Sequence, residues 1–289
     1  MRCLIALGLL LLAGTAAAVP RYVWHDQFSS AEARMLRDWV AQADRGISAL
    51  LSPIPPPFVV HLHRRGWSGE PVPWANTMKR DSRAVHFHVD PRYSSVDFIA
   101  DWTAPHELVH LLFPYLGEQA RWFAEGVASY FQYPVMVAAG SMDWAQATER
   151  LSERLRRARN LHRSDGRSII DLNQYPSGRH ANVRLYWGGA AYFLIADYRL
   201  QQQTGRRLNQ LIGDYVDCCA ALWGRGATAL IRRLDRLSGT TVFSDTYDDT
   251  VSQRGFPDFH EALQWFAQQP MPRRDAAPAR VQATATAGP

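Results

Sequence analysis

Lysine is nearly absent from this chain of 289 residues: Lys79 is the only one among 32 basic residues, and the others are arginine. The formal charge of +5 is therefore carried by arginines spread along the whole length. No concentrated basic face emerges, and nucleic acid is set aside as a partner. Cysteine is also scarce. Of three, Cys3 lies at the very start and Cys218 and Cys219 are neighbours. Neighbouring cysteines rarely make a sound disulfide, so the fold is not built on them. Long apolar runs are missing except for Leu4 to Ala13, which falls short of the roughly 20 residues a bilayer requires.

That run has a different reading. Arg2 supplies positive charge before it, and Ala16, Ala17 and Ala18 offer small residues after it. This is the pattern of a secretory signal, residues 1–18, with the mature chain expected to begin near Val19. An uncleaved anchor is the alternative. Export to the periplasm or the medium is expected, with no stable membrane span after cleavage. At 47% hydrophobic the rest can bury a full core, and its length suits one or two domains. Residues 270–289 are rich in Pro, Ala, Arg and Thr without large apolar side chains, and read as a flexible tail.

Between these ends the pattern is α+β, with a small mixed β/α lobe over 19–93 and a mainly helical lobe over 94–269. Arg21 to His25 is strand-like. Ser29 or Ser30 can cap a helix reaching Leu51, where a run of four prolines among six residues, 52–57, stops it. Phe58 to His63 and Ala84 to Val89 alternate like two strands, separated by a loop from Arg64 to Arg83. Helical periodicity then covers Val96–Phe113, Arg121–Ala139, Asp143–Leu161, Val183–Gln203, Leu208–Leu222, Ala227–Leu237 and Phe259–Gln268.

One helix carries an unusual trio. His106-Glu107-Leu108-Val109-His110 stacks two imidazoles at i and i+4 on one face, which suits two ligands of a single tetrahedral Zn²⁺. Glu107 projects beside them, where it can take a proton from a zinc-bound water. A third ligand should follow. A longer histidine pattern would need glycine at the position of Phe113 and histidine at that of Leu116, and has neither. Glu118 falls in the turn Pro114 to Gln119, a poor place from which to hold a ligand rigidly. Glu125, on the next helix, is the expected ligand.

HELVH followed by WFAEGVASYF resembles the gluzincin metallopeptidases, the clan that holds thermolysin and the membrane-alanyl-type aminopeptidases. Leu185 to Leu194 is similar to the Tyr-x-Lys-Gly-Ala helix start of the aminopeptidase and glycyl-aminopeptidase families, and Asp197-Tyr198-Arg199-Leu200 with Thr204-Gly205 resembles the latter. The resemblance covers about residues 95–220. It implies a thermolysin-like zincin catalytic domain with one Zn²⁺ per chain on His106, His110 and Glu125. It further implies Glu107 as general base, Tyr186 as the hydroxyl that holds the oxyanion, and a peptide or protein as substrate. Two departures stand out: the lysine before the glycine is Gly188, and no Gly-x-Met-Glu-Asn segment is present to bind a free amine. Thermolysin-like enzymes also carry an acid where Ser129 stands.

The remaining features admit two readings each. His61, His63, His86 and His88 would share the non-core face if their strands pair, as a second metal site or as solvated or groove-lining side chains. Val85 to Val89 could bind extended substrate as an edge strand. Trp67 and Trp74 either line a cleft or simply pack. Arg150, Arg154, Arg156, Arg157 and Arg159 form a solvated face. The expected function is an exported zinc metallopeptidase. The alternatives are an inactive zinc-stabilised binding or scaffold module and a zinc hydrolase of a non-peptide amide. Glu107 favours an enzyme, since a structural zinc site closes its fourth position and has no use for a base.

Overall fold

Strands β1 (Arg21–Trp24), β2 (Phe58–Arg64), β3 (Trp74–Lys79) and β4 (Arg83–Val89) form one sheet in the order β1-β2-β4-β3. The computed structural model describes residues 20–79, 82–163, 165–176 and 180–273. The expected signal at 1–18 and residues 274–289 of the expected tail lie outside the described residues.

Alternation sorts the two faces of the sheet. Phe58, Val60 and Leu62 of β2 and Val85, Phe87 and Val89 of β4 turn inward, all 3% exposed or less. Helix α1 (Ser30–Leu50) covers them with Leu36, Trp39, Val40, Ala43, Ile47 and Leu50. It starts at a capping box in which Ser29 Oγ accepts from Glu32 N and Ser29 N donates to the Glu32 carboxylate at 2.7 Å. The histidines of both strands face away from α1. β1, β2 and β4 run parallel, and β3 returns antiparallel to β4.

β3 lies inside the segment expected to be a loop, and this changes which strand is the edge. Val85 to Val89 pairs with β2 on one side and β3 on the other, so its backbone donors and acceptors are used and it cannot add a substrate strand. On that side of the sheet the edge is Trp74–Lys79.

The helical lobe follows. The single helix expected over Val96–Phe113 is two: α2 (Ser95–Ala100) and α3 (Thr103–His110). Asp101 between them takes extended backbone, and its carboxylate accepts from Thr103 N at 2.8 Å, which ends one helix and starts the other. Then come α4 (Arg121–Ala138), α5 (Trp144–His162), α6 (Ile169–Gln174), α7 (Ala181–Thr204), α8 (Leu208–Cys219), α9 (Ala227–Ser238), α10 (Val242–Thr246), a π turn and α11 (His260–Gln268). Cys218 and Cys219 are joined by a disulfide that spans adjacent residues and so ties no distant parts together. Residues Pro270 to Arg273 run along the body, where Pro272 O accepts from Asn209 Nδ2 at 2.8 Å.

α4 and α7 cross at glycines. A Cβ on Gly189 would stand 2.1 Å from Trp122 O, and one on Gly126 would stand 2.5 Å from Gly189 C. Backbone meets backbone, so neither neighbour can yield by rotating a side chain. Gly189→Ala is expected to destabilise the protein by about 3 kcal/mol. Chemical denaturation checks this, and an unchanged midpoint would show that the helices do not approach so closely.

Candidate metal centre

His106 and His110 lie one turn apart on α3, buried, with ring centroids 5.0 Å apart. Glu125, on α4, reaches both: its Oε2 is 3.2 Å from His106 Nε2 and 3.6 Å from His110 Nε2. Ligand atoms about 2.1 Å from a tetrahedral ion stand roughly 3.4 Å from one another, so the three residues fit Zn²⁺. Glu118 does not join them. It accepts from Tyr115 Oη at 2.9 Å on the rim of the same cleft.

Glu125 and the two histidines share protons as one group. Burial alone would raise Glu125, but its hydrogen bonds to His106 and His110 and their charge outweigh it and hold the carboxyl well below its usual range. Burial pulls His106 the other way, yet Glu125 wins and the imidazole is raised. Gln132 fixes its tautomer. His106 Nδ1 lies 2.9 Å from Gln132 Oε1. An amide oxygen only accepts, so Nδ1 carries a proton, and Nε2, 3.2 Å from Glu125 Oε2, is the nitrogen that would turn its lone pair to a bound ion. Gln132, two turns along α4 from Glu125, thus does for His106 what the resemblance would assign to an acid at Ser129. Ser129 itself is buried.

Glu107 faces the same cleft, of about 610 Å³. Thr77 of the edge strand donates to its Oε2 at 2.8 Å. On the opposite side Tyr186 of α7 stacks 6.5 Å from the His106 ring and accepts from Arg121 Nη2 at 2.8 Å. With that acceptance filled by Arg121, the hydroxyl proton is directed elsewhere. Burial, aided by Glu125 and opposed by Arg121, pushes the phenol up to about 12, so it acts as a neutral donor. Gly188, where the families it resembles carry lysine, packs on α6, where a Cβ would meet Ile169 Cδ1 at 2.4 Å.

Sequence reading missed Thr77, Arg121, Gln132 and Lys79. Lys79, on β3, lines the cleft, and burial draws its ammonium down to about 7 against the pull of Glu107 and Glu125. Its being the chain's single lysine was the one available signal. Trp74 lines the cleft, whereas Trp67 stands 90% exposed with the Arg92 guanidinium 4.2 Å over its ring.

The strand histidines form a separate array on the outer face of the sheet. His61 pairs with His86 and His63 with His88 in register, and their rings stack at 4.1 and 4.4 Å. His25, just past β1, joins them and was not foreseen: its ring lies 4.1 Å from His63, and its Nε2 lies 2.8 Å from His61 Nδ1. Burial, then the neighbouring imidazoles, pulls His61 and His63 down to about 4, and burial lowers His86 and His88 as well.

No family model matches the chain, and no curated protein matches it. Solved structures do. It is similar to an aminopeptidase N family protein from Idiomarina loihiensis, at 18% identity and a TM-score of 0.59 over 84% of this chain and 46% of that one. It is also similar to an M1 zinc metallopeptidase from Deinococcus radiodurans, at 18% identity and a TM-score of 0.48 over 92% of this chain and 52% of that one. The chain thus spans about half the length of the structures it matches. Its α+β architecture, a small mixed sheet followed by a helical lobe, is the fold of the first of these, as the resemblance implied.

Gln132→Leu keeps volume near Gln132 but leaves His106 Nδ1 without its acceptor. Zinc affinity at His106, His110 and Glu125 is expected to fall about 10- to 100-fold. Competition against a chelator of known affinity measures it, and unchanged affinity would mean that another group orients His106.

Proposed function

We propose that the chain is an exported, zinc-dependent metallopeptidase that hydrolyses peptide bonds. The observation that carries this reading is the convergence of His106, His110 and Glu125 on one point, with Glu107 and Tyr186 on the rim of the same cleft. With three protein ligands and a fourth position open, a bound Zn²⁺ supplies Lewis acidity and a water of lowered pKa. Everything else falls to the chain.

Glu107 accepts the proton of the attacking water and passes it to the leaving amine. Thr77 Oγ1 holds that carboxylate in place from the edge strand. Tyr186, oriented by Arg121, donates its hydroxyl to the oxygen on which charge develops. Trp74–Lys79, with its outer backbone edge beside the cleft, can receive an extended peptide as an added strand. The fold of the Idiomarina loihiensis neighbour supports a peptidase. Export rests on the residues before Val19, and no described helix is long and apolar enough to cross a membrane.

Three substitutions separate binding from chemistry. Glu107→Gln should retain zinc and lower turnover of a mixed peptide library by about 10²- to 10⁴-fold. Glu125→Ala should lose the triad's zinc, and Glu118→Ala should keep it. If the zinc-loaded wild type cleaves no peptide, the peptidase reading is wrong, and a scaffold or a non-peptide amidase takes its place. The cleavage sites distinguish internal from terminal cutting. Tyr186→Phe is expected to reduce kcat by about 10²-fold with little change in KM. Equal loss in an Arg121→Met chain would follow from a misplaced hydroxyl, whereas an unaffected Tyr186→Phe would remove that residue from the mechanism.

A further inference from the structure

The zinc cleft uses two of the chain's ten histidines, and five others are gathered on the far face of the sheet. The sequence places them in pairs, His61-Leu62-His63 on β2 and His86-Phe87-His88 on β4. An i, i+2 pair projects from one face of a strand, and parallel register sets His61 beside His86. His25 arrives from the end of β1. One nitrogen from each of His25, His61 and His86 lies within 4.8 Å of the others.

We propose that His25, His61 and His86 form a second metal site, for a late first-row divalent cation such as Cu²⁺ or Zn²⁺, distinct from the zinc triad.

The donor set decides the class of ion. Three imidazoles and no carboxylate suit Cu²⁺ or Zn²⁺, whereas Mg²⁺ and Ca²⁺ require oxygen. Three protein ligands also leave a position open to water or another small ligand. The His61 and His86 rings lie 4° from parallel, with His61 Nδ1 2.8 Å from His25 Nε2 and His86 Nδ1 3.0 Å from His63 Nε2, so these nitrogens already face one another rather than solvent. A turn about χ2, a broad torsion in histidine, brings them together, and His25 is exposed enough to follow. A second observation points the same way: His88 is 8% exposed, stacks on His63, and leaves its Nδ1 buried with no hydrogen-bond partner among the described residues. Imidazole nitrogen is thus in surplus on this face. A solvated surface has no need of that.

The site can be tested apart from the zinc triad. The full chain, without a polyhistidine tag, is stripped of metal and titrated with Cu²⁺ and with Zn²⁺, as wild type and as a His110→Ala, Glu125→Ala double variant. The double variant should still bind one equivalent of Cu²⁺, with nitrogen coupling in its EPR spectrum. Adding His61→Gln and His86→Gln should weaken that binding by more than the about 10- to 100-fold that losing a mere outer-shell partner costs. His25→Gln, outside the strands, repeats the test without touching the sheet. If the double variant binds neither ion, or binds as before after His61→Gln with His86→Gln and after His25→Gln, the site does not exist. Failure of the triad reading looks different: wild type would then lose no metal on Glu125→Ala.

Discussion

The contact on which the site depends is the crossing of α4 and α7, where Gly126 and Gly189 bring two helix backbones together. Glu125 is the residue before Gly126, and Tyr186 stands three residues before Gly189, one turn away. Fixing the glycines against each other therefore fixes the carboxylate and the phenol at once. A helix normally loses stability at glycine, by about 1 kcal/mol relative to alanine. Here an alanine Cβ at 189 would stand 2.1 Å from Trp122 O, so the helices would have to part, and Tyr186 on α7 would shift relative to Glu125 on α4. Local propensity is sacrificed to close packing, and the geometry of the candidate metal centre is what the packing holds.

The same two helices are locked again farther along by a buried ionic knot. Asp197 of α7, fully buried, accepts from Tyr130 Oη of α4 at 2.6 Å, from Arg207 Nη2 at 2.8 Å and from Leu208 N at 2.6 Å. A buried ion pair is weak evidence for stability, because desolvation offsets the attraction. Its saturation with donors from α4 and from the start of α8 is stronger evidence for register: sliding α7 by one turn would leave a buried carboxylate unmatched. Glycines set how closely α4 and α7 approach, and Asp197 sets how far along one another they sit.

These roles explain what could be read from the residues. Long helices were legible because their apolar period is unbroken, as in α1 and α7. The split at Asp101 was not, since the extended backbone of that one residue, whose carboxylate accepts from Thr103 N, interrupts a continuous apolar pattern. α6 and α10 escaped notice by brevity, although Ser168 and Asp171 form a capping box that marks the start of α6. β3 went unread because Trp-Ala-Asn-Thr-Met-Lys lacks alternating apolar residues. Its ladder to β4 makes it a strand. His106, Glu107 and His110 share one helix turn, so spacing alone exposes them. Thr77, Arg121 and Gln132 reach the site from separate elements or distant turns, and His25 meets His61 across 36 residues. No local rule connects such partners.

Two groups of histidines on one chain show how surroundings divide a single residue type. At the cleft, the imidazoles meet carboxylates: Glu125 contacts both, and Glu107 lies beside them, so positive charge is welcome there and a dication is partly neutralised by its own ligands. On the sheet, imidazoles meet one another, and burial with mutual repulsion keeps them uncharged. A neutral set offers lone pairs without competing protons, and its three imidazoles bring no negative charge to a bound dication, the nearby Asp26 carboxylate acting on His63 and His88. The cleft is therefore suited to hold a dication firmly. The sheet favours an ion that bonds strongly to nitrogen itself, which is why Cu²⁺, at the head of the affinity order for such ligands, discriminates between the two places better than Zn²⁺.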